Sequence, residues 1–195
     1  MRGLCAIVAA GCWTTPPPQA PAPSRPSQLV ITEDHFGPLD ASSPGTLAYL
    51  REHFPDLDVR PVNDSGLEYR AYAGSEEMFF VVTNDDLSIR SVHVTSPRVE
   101  SRARGWRVAE PFRDSRVITT CECWGENPTC YHRGEHVAVS FDMPCEFAVD
   151  TRDFRPLDGY APQRVIWSPT PFGSRDIEGV DDPQFPAIGS DDDGF

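Results

Sequence analysis

Apolar and polar positions divide the chain into unlike stretches. Leu4–Ala10 (LCAIVAA) is an unbroken apolar run, and Trp13–Gln28 is polar and proline-rich. From Leu29 to Trp167 short apolar runs alternate with turn residues, and from Ser168 onward Pro, Gly and Asp dominate. In the third stretch, Leu29–Thr32 predicts a first strand. Ser42-Ser43-Pro44 predicts a helix start, with a serine cap and a proline at the first helical position, where its missing N–H leaves nothing unpaired. Leu47, Leu50 and Phe54 follow at helical spacing and Pro55 ends the run, so one helix is expected over residues 44–54.

After the helix the period falls to two. Asp58–Val62, Leu67–Ala73, Met78–Thr83 and Ser88–Thr95 read as strands, and Asn84-Asp85-Asp86 supplies a turn. In Ser91–Thr95, Val92 and Val94 share one side and His93 takes the other. Trp106–Val108, Arg116–Thr120 and His136–Phe141 complete the series, with Val165–Trp167 expected to close the sheet. One helix and about eight short strands predict an α+β, β-dominated domain built on an antiparallel sheet. The domain is expected over 29–167, followed by an acidic disordered tail over 168–195.

The ends read as an address. Met1-Arg2-Gly3 and the apolar run that follows make a short signal peptide over 1–11, far too short to span a bilayer. Ala9-Ala10-Gly11-Cys12 resembles the lipobox of bacterial lipoproteins, which implies diacylglycerol on the Cys12 thiol and cleavage before it. Ala9 departs from the leucine commonest at its position. The same small residues also satisfy ordinary secretion, the alternative reading. Residues 12–28 then form the lipidated cysteine and its tether. The tether's six prolines favour polyproline II, and at about 3.1 Å per residue it reaches some 40–50 Å.

Composition narrows the partners. The formal net charge is −13, and all 17 basic residues are arginine. Such a surface repels phosphate backbones, so nucleic acid is not an expected partner. The one basic cluster, Arg98, Arg102, Arg104 and Arg107, reads as a solvated loop face, with an anion-binding patch as the alternative.

Four cysteines lie beyond Cys12: Cys121, Cys123, Cys130 and Cys145. In an exported protein an even set is read as disulfides. Two bridges across a hairpin are feasible because Cys121 and Cys123 share a strand face. The nested pairing Cys123–Cys130 within Cys121–Cys145 is favoured, with Cys121–Cys130 plus Cys123–Cys145 close behind. The competing chemistry is metal binding, since Cys121, Cys123, Cys130, His132 and His136 make a zinc or copper donor set, though not at zinc-ribbon spacing. No G-x-S-x-G elbow, H-E-x-x-H helix or phosphate loop occurs, and no cofactor is called for. Glu33-Asp34-His35 is the remaining acid–base candidate; a polar helix entry explains it equally well.

The order of segments carries a resemblance. Phe36-Gly37-Pro38-Leu39, a proline-started helix, FPDLDVR (54–60), IRSVHVTSPRV (89–99), GWRVAEPF (105–112) and the cysteine–loop–cysteine–VAVSFD pattern (121–142) resemble the sigma-E-regulated lipoprotein family of bacterial envelopes. The resemblance spans about Ile31 to Asp142. It implies a periplasm-facing lipoprotein with an α+β domain and no known activity, and it transfers no catalytic residue. Ala109 stands where the pattern expects glycine, Cys123 and Cys145 look like additions, and the acidic tail is foreign to it.

Together these readings predict a non-enzymatic envelope lipoprotein, a binding or structural module held at the outer membrane through acylated Cys12. Its partners would be the lipid bilayer and an unidentified envelope protein. Trp13 after Cys12, in place of aspartate, favours outer-membrane sorting. The rivals are an exported hydrolase with an unrecognised site and a periplasmic metal-binding protein centred on 121–136.

Overall fold

The computed structural model describes residues 29–124, 127–145 and 153–174. The leader, the tether, Cys12 and the residues from Arg175 onward lie outside the described residues. Within them the chain forms an eight-stranded antiparallel sheet, a seven-residue helix and a two-stranded parallel pair.

The parallel pair is β1 (Val30–Ile31) with β6 (Glu100–Ser101). Helix α1 covers Leu47–His53. Two meanders follow, one made of β2 (Asp58–Pro61), β3 (Glu68–Ala73), β4 (Glu76–Thr83) and β5 (Ile89–Val94). The other contains β7 (Thr120–Trp124), β8 (Asn127–Tyr131) and β9 (Val137–Phe141). The last strand, β10 (Pro162–Trp167), enters between β5 and β9, giving the order β2-β3-β4-β5-β10-β9-β8-β7. Val165–Trp167 was expected to close the sheet; it joins the two halves instead. Val165 pairs with Val94 on one side and Val139 on the other. Val165, Ile166 and Trp167 are all at most 1% exposed, as a strand covered on both faces requires.

The main core lies on one face, with Val59, Phe79, Val81, Val92, Val94, Val139, Val165 and Trp167 among its members. Helix α1 covers it with Leu50, and Phe54 follows at the helix end. Phe79 receives Phe36 and Phe54 at ring separations of 4.8 and 4.9 Å, a compact aromatic cluster worth more than its area alone. The indole N–H of Trp167 donates to the Glu33 carbonyl (3.3 Å), tying β10 to the start of the domain.

Several boundaries differ from the sequence reading. The helix starts three residues later than its proline, with Thr46 as the cap: its hydroxyl accepts from the Tyr49 N–H. Ser43 is buried instead, donating to Asp40. Gly45 explains the delay. Its N–H donates to the Leu87 carbonyl, and a Cβ there would sit 2.3 Å from Thr83 Cγ2, so the chain lies extended on the β4–β5 turn before it can coil. Trp106–Val108 is no strand; Trp106, Val108 and Phe112 plug the core from a loop, and Phe112 meets Phe141 edge-on. Ser115–Val117 is a 3₁₀ turn leading into β7.

Strand β8 was not among the expected strands, and it contains Pro128. That proline lies outside the β8–β9 ladder, which begins at Thr129, so its missing N–H removes no bond there. The packed chain also runs to Ser174, beyond the expected end at Trp167. Phe172 is buried against Tyr131, and its N–H donates to the Glu135 carbonyl.

The β2 edge is blunted. Strand β2 carries Pro61 and two charges, and Arg51 Nε donates to its Val59 carbonyl. Ala109, where glycine was expected, has φ of 61°, in the left-handed region that disfavours a Cβ. Its N–H still donates to the Pro162 carbonyl. Replacing Ala109 with Gly relieves that conformation at the expense of a looser unfolded chain; a net gain of about 0.5–1 kcal/mol is expected in urea denaturation.

Candidate functional site

Among the described residues no single cleft gathers catalytic chemistry. The sites named by the sequence fall in separate places, and each is settled by local geometry.

The cysteines mark the β7–β8 hairpin. Cys121 and Cys130 are direct cross-strand partners with Cα atoms 4.0 Å apart, and they are bonded to each other. Cys123 bonds Cys145, with Cα atoms 5.8 Å apart. The favoured nested pairing is therefore incorrect and the second pairing holds. The cause is register: β8 places Cys130 opposite Cys121 and leaves Pro128 opposite Cys123. Closing loops of this size constrains the unfolded chain by about 3 kcal/mol per bridge. Disulfides of this kind fit an oxidising, extracytoplasmic compartment.

The bridges also dismantle the metal alternative, because they consume the thiolates of Cys121, Cys123 and Cys130. His132 and His136 are engaged elsewhere. Their Nδ1 atoms lie 3.0 Å from the Arg133 carbonyl and 2.7 Å from the Ser168 carbonyl. Among the described residues no three His, Cys, Asp or Glu side chains stand together as a metal site.

The four arginines do not converge into one anion patch. Arg98 faces Glu76, Arg102 faces Glu100, Arg104 faces Glu135 and Arg107 faces Glu110. Each guanidinium thus spends charge on a carboxylate, as on an ordinary solvated surface. A hollow of about 370 Å³ between Arg104 and Pro162 has both signs of charge on its walls, including Arg113, Glu110 and Asp114. Glu33-Asp34-His35 makes no acid–base pair: His35 Nδ1 meets Thr32 Oγ1 at 2.9 Å, and neither carboxylate makes an ion pair with the ring among the described residues. The Asp85-Asp86 turn forms as expected. Asp86 accepts from the Ser88 N–H and hydroxyl, which lowers its pKa.

A second hollow, of about 520 Å³, opens beside β1. It lies between the Thr32–His35 turn, the end of α1 at His53 and the turn after β6 at Arg102.

The residue that sequence reasoning passed over is His93. The alternation of Ser91–Thr95 places it on the sheet face opposite the main core, and the register lines it up with Phe80 on β4 and Ile166 on β10. Its ring stacks on Phe80 (4.4 Å, 11°), and Nε2 lies 2.9 Å from Ser91 Oγ. The guanidinium groups of Arg164 and Arg70 sit over the same Phe80 ring, at 5.2 and 5.8 Å. His93 is 8% exposed, and its Nδ1 has no partner among the described residues. Burial, and then the charges of Arg164 and Arg90, push its pKa down to about 3. The Ser91–His93 contact resembles a nucleophile and its base. However, an imidazole this weakly basic takes no proton at neutral pH, and no carboxylate orients it, so the pair does not make a catalytic dyad.

No protein-family profile matches the chain, and no curated protein matches it. Among solved structures, the crystal structure of the uncharacterised protein YfeY from Escherichia coli is similar, with a TM-score of 0.53 and 17% sequence identity. The likeness covers 71% of this chain and 98% of that one. At that identity the likeness is one of fold.

Two measurements check these assignments. Peptide mapping without reduction is expected to recover Cys121 linked to Cys130 and Cys123 linked to Cys145; a Cys121–Cys145 peptide contradicts the register. For His93, the unfolded ring binds a proton below its ordinary pKa of 6.5 while the folded ring stays neutral down to about 3. Stability from this group is therefore intact above 6.5 and lost as pH falls towards 3, by about 1.4 kcal/mol per pH unit at the steepest. His93→Phe is expected to flatten the difference between unfolding free energies measured at pH 7 and pH 4.5. An unchanged slope would show that His93 is not the group responsible.

Proposed function

We propose that this chain is a lipid-anchored module of the bacterial cell envelope, a non-enzymatic binding or structural protein. The observation that carries the reading is the combination of two disulfides in the folded domain with a small-residue–cysteine motif at Ala9–Cys12. The disulfides call for an oxidising compartment, and the motif and proline-rich tether supply a route to it and a means of staying there. Several acyl chains on one residue give stable attachment, which a single chain does not. Among the described residues no helix is long and apolar enough to cross a membrane.

The resemblance to the sigma-E-regulated lipoprotein family supports the same reading and adds no activity. Trp13 directs the anchored protein to the outer membrane under the best-known sorting rule, with the domain facing the periplasm or the surface. Beyond the bilayer, an unidentified envelope protein is the expected partner.

Cells given labelled palmitate provide the test. The wild-type chain is expected to carry the label and to sediment with membranes. Cys12→Ser is expected to lose the label and leave the membrane fraction. An unlabelled wild-type chain found in the cytosol overturns the proposal.

A further inference from the structure

The hollow beside β1 is electrostatically unlike the rest of the chain. The sequence contains 30 acidic residues against 17 basic ones, yet none of those acids lines this hollow. Its polar wall consists of Thr32, His35, His53 and Arg102; its apolar wall is formed by Leu29, Val30 and Pro38. At about 520 Å³ it falls within the size range of small-molecule sites.

The polar groups are held in place from behind. His53 stacks on Tyr49 (3.8 Å, 21°), and its Nδ1–H donates to the Tyr49 carbonyl at 2.9 Å. His35 Nδ1 is engaged by Thr32 Oγ1 at 2.9 Å. Each ring therefore keeps Nε2 as the atom available to a ligand. Arg102 is anchored through its backbone, whose N–H donates to the Ile31 carbonyl, and through Nε, which lies 3.4 Å from Glu100. Its terminal amino groups have no further hydrogen bond among the described residues.

The charged neighbours on the surrounding elements stay outside the lining. Glu33 and Asp34 adjoin His35, Glu52 adjoins His53, Glu100 holds Arg102, and Arg51 turns away to the Val59 carbonyl. What remains in the lining is an arginine, two histidines and a threonine beside the apolar Leu29, Val30 and Pro38. A guanidinium fork matches phosphate oxygens, and imidazoles complete such a site as donors when protonated.

We propose that this hollow binds an anionic phospholipid headgroup, with the phosphate against Arg102, His35 and His53 and the glycerol and first acyl carbons against Leu29, Val30 and Pro38. The assignment to a lipid rests on the envelope reading above, and Leu29, which lines the hollow, is the next residue after the tether in sequence. The phosphate chemistry itself does not depend on lipidation at Cys12.

The test uses full-length Cys12→Ser protein, which carries no acyl chain, and follows the ring signals of the histidines by NMR. The probes are dihexanoyl phosphatidylglycerol, inorganic phosphate and the phosphate-free detergent octyl glucoside. The short-chain phospholipid is expected to shift His35 and His53 saturably while His132 and His136 stay still. Arg102→Gln is expected to weaken that binding about tenfold or more. This side chain is mostly exposed and its backbone bond is kept, so the variant retains the fold. Static His35 and His53 signals, equal shifts with octyl glucoside, or unchanged affinity in Arg102→Gln overturn the proposal. Equal affinity for inorganic phosphate overturns the lipid assignment and leaves a free-anion site. A failure of palmitate labelling changes none of these readouts, so the two proposals fail separately.

Discussion

The insertion of β10 between β5 and β9 is the constraint on which the rest of the structure depends. Without it the β2–β5 and β7–β9 meanders would not be joined into one sheet. Val165, Ile166 and Trp167 are covered on both faces, and each pairs in two directions with residues distant in sequence. The last strand therefore reaches its place only after both halves offer an edge, and loop-closure entropy opposes the step until those pairings form. The indole of Trp167 reaching back to the Glu33 carbonyl joins the end of the domain to its beginning.

That arrangement gives the sheet two unlike faces. One carries the main core beneath α1 and the Trp106–Phe112 loop. The other carries a row in register from Arg70 through Phe80, His93, Ile166 and Ala138 to Tyr131, so it changes from a cationic and aromatic stretch to an uncharged, buried one as it crosses β10. A neutral imidazole fits this row because Phe80 supplies a stacking surface and Ser91 satisfies one nitrogen, while protonation would place a third positive charge beside Arg164 and Arg90. The disulfides act at the far end. Cys121–Cys130 staples β7 to β8, and Cys123–Cys145 ties β7 to the segment that follows β9.

Charge follows a similar division. The four arginines of the Arg98–Arg107 loop each pair with a different glutamate, so they do not converge into one anion patch despite the composition. The hollow beside β1 is distinctive for a different reason: none of the chain's acidic residues is among those that line it. Neither outcome follows from net charge, since both depend on which carboxylates the fold brings within reach of which guanidinium groups.

Local periodicity determined much on its own: the strands around β3, β4, β5 and β9, the helix carrying Leu50 and Phe54, the turn at Asp86, and a cysteine-stapled hairpin. These features are set by alternation and turn chemistry within a few residues, and the positive φ at Ala109 matches the glycine that the family pattern led us to expect there. Tertiary structure decided what depends on long-range register. It placed β10 at the seam and not at the edge, delayed the helix to Thr46 because Gly45 lies against Thr83, and made Trp106 a core plug. It also paired Cys121 with Cys130 and aligned His93 with Phe80. The physical reason is common to all five: each is fixed by which residue stands opposite which across a sheet or a packed loop, and that relation is absent from the linear order until the strands have paired.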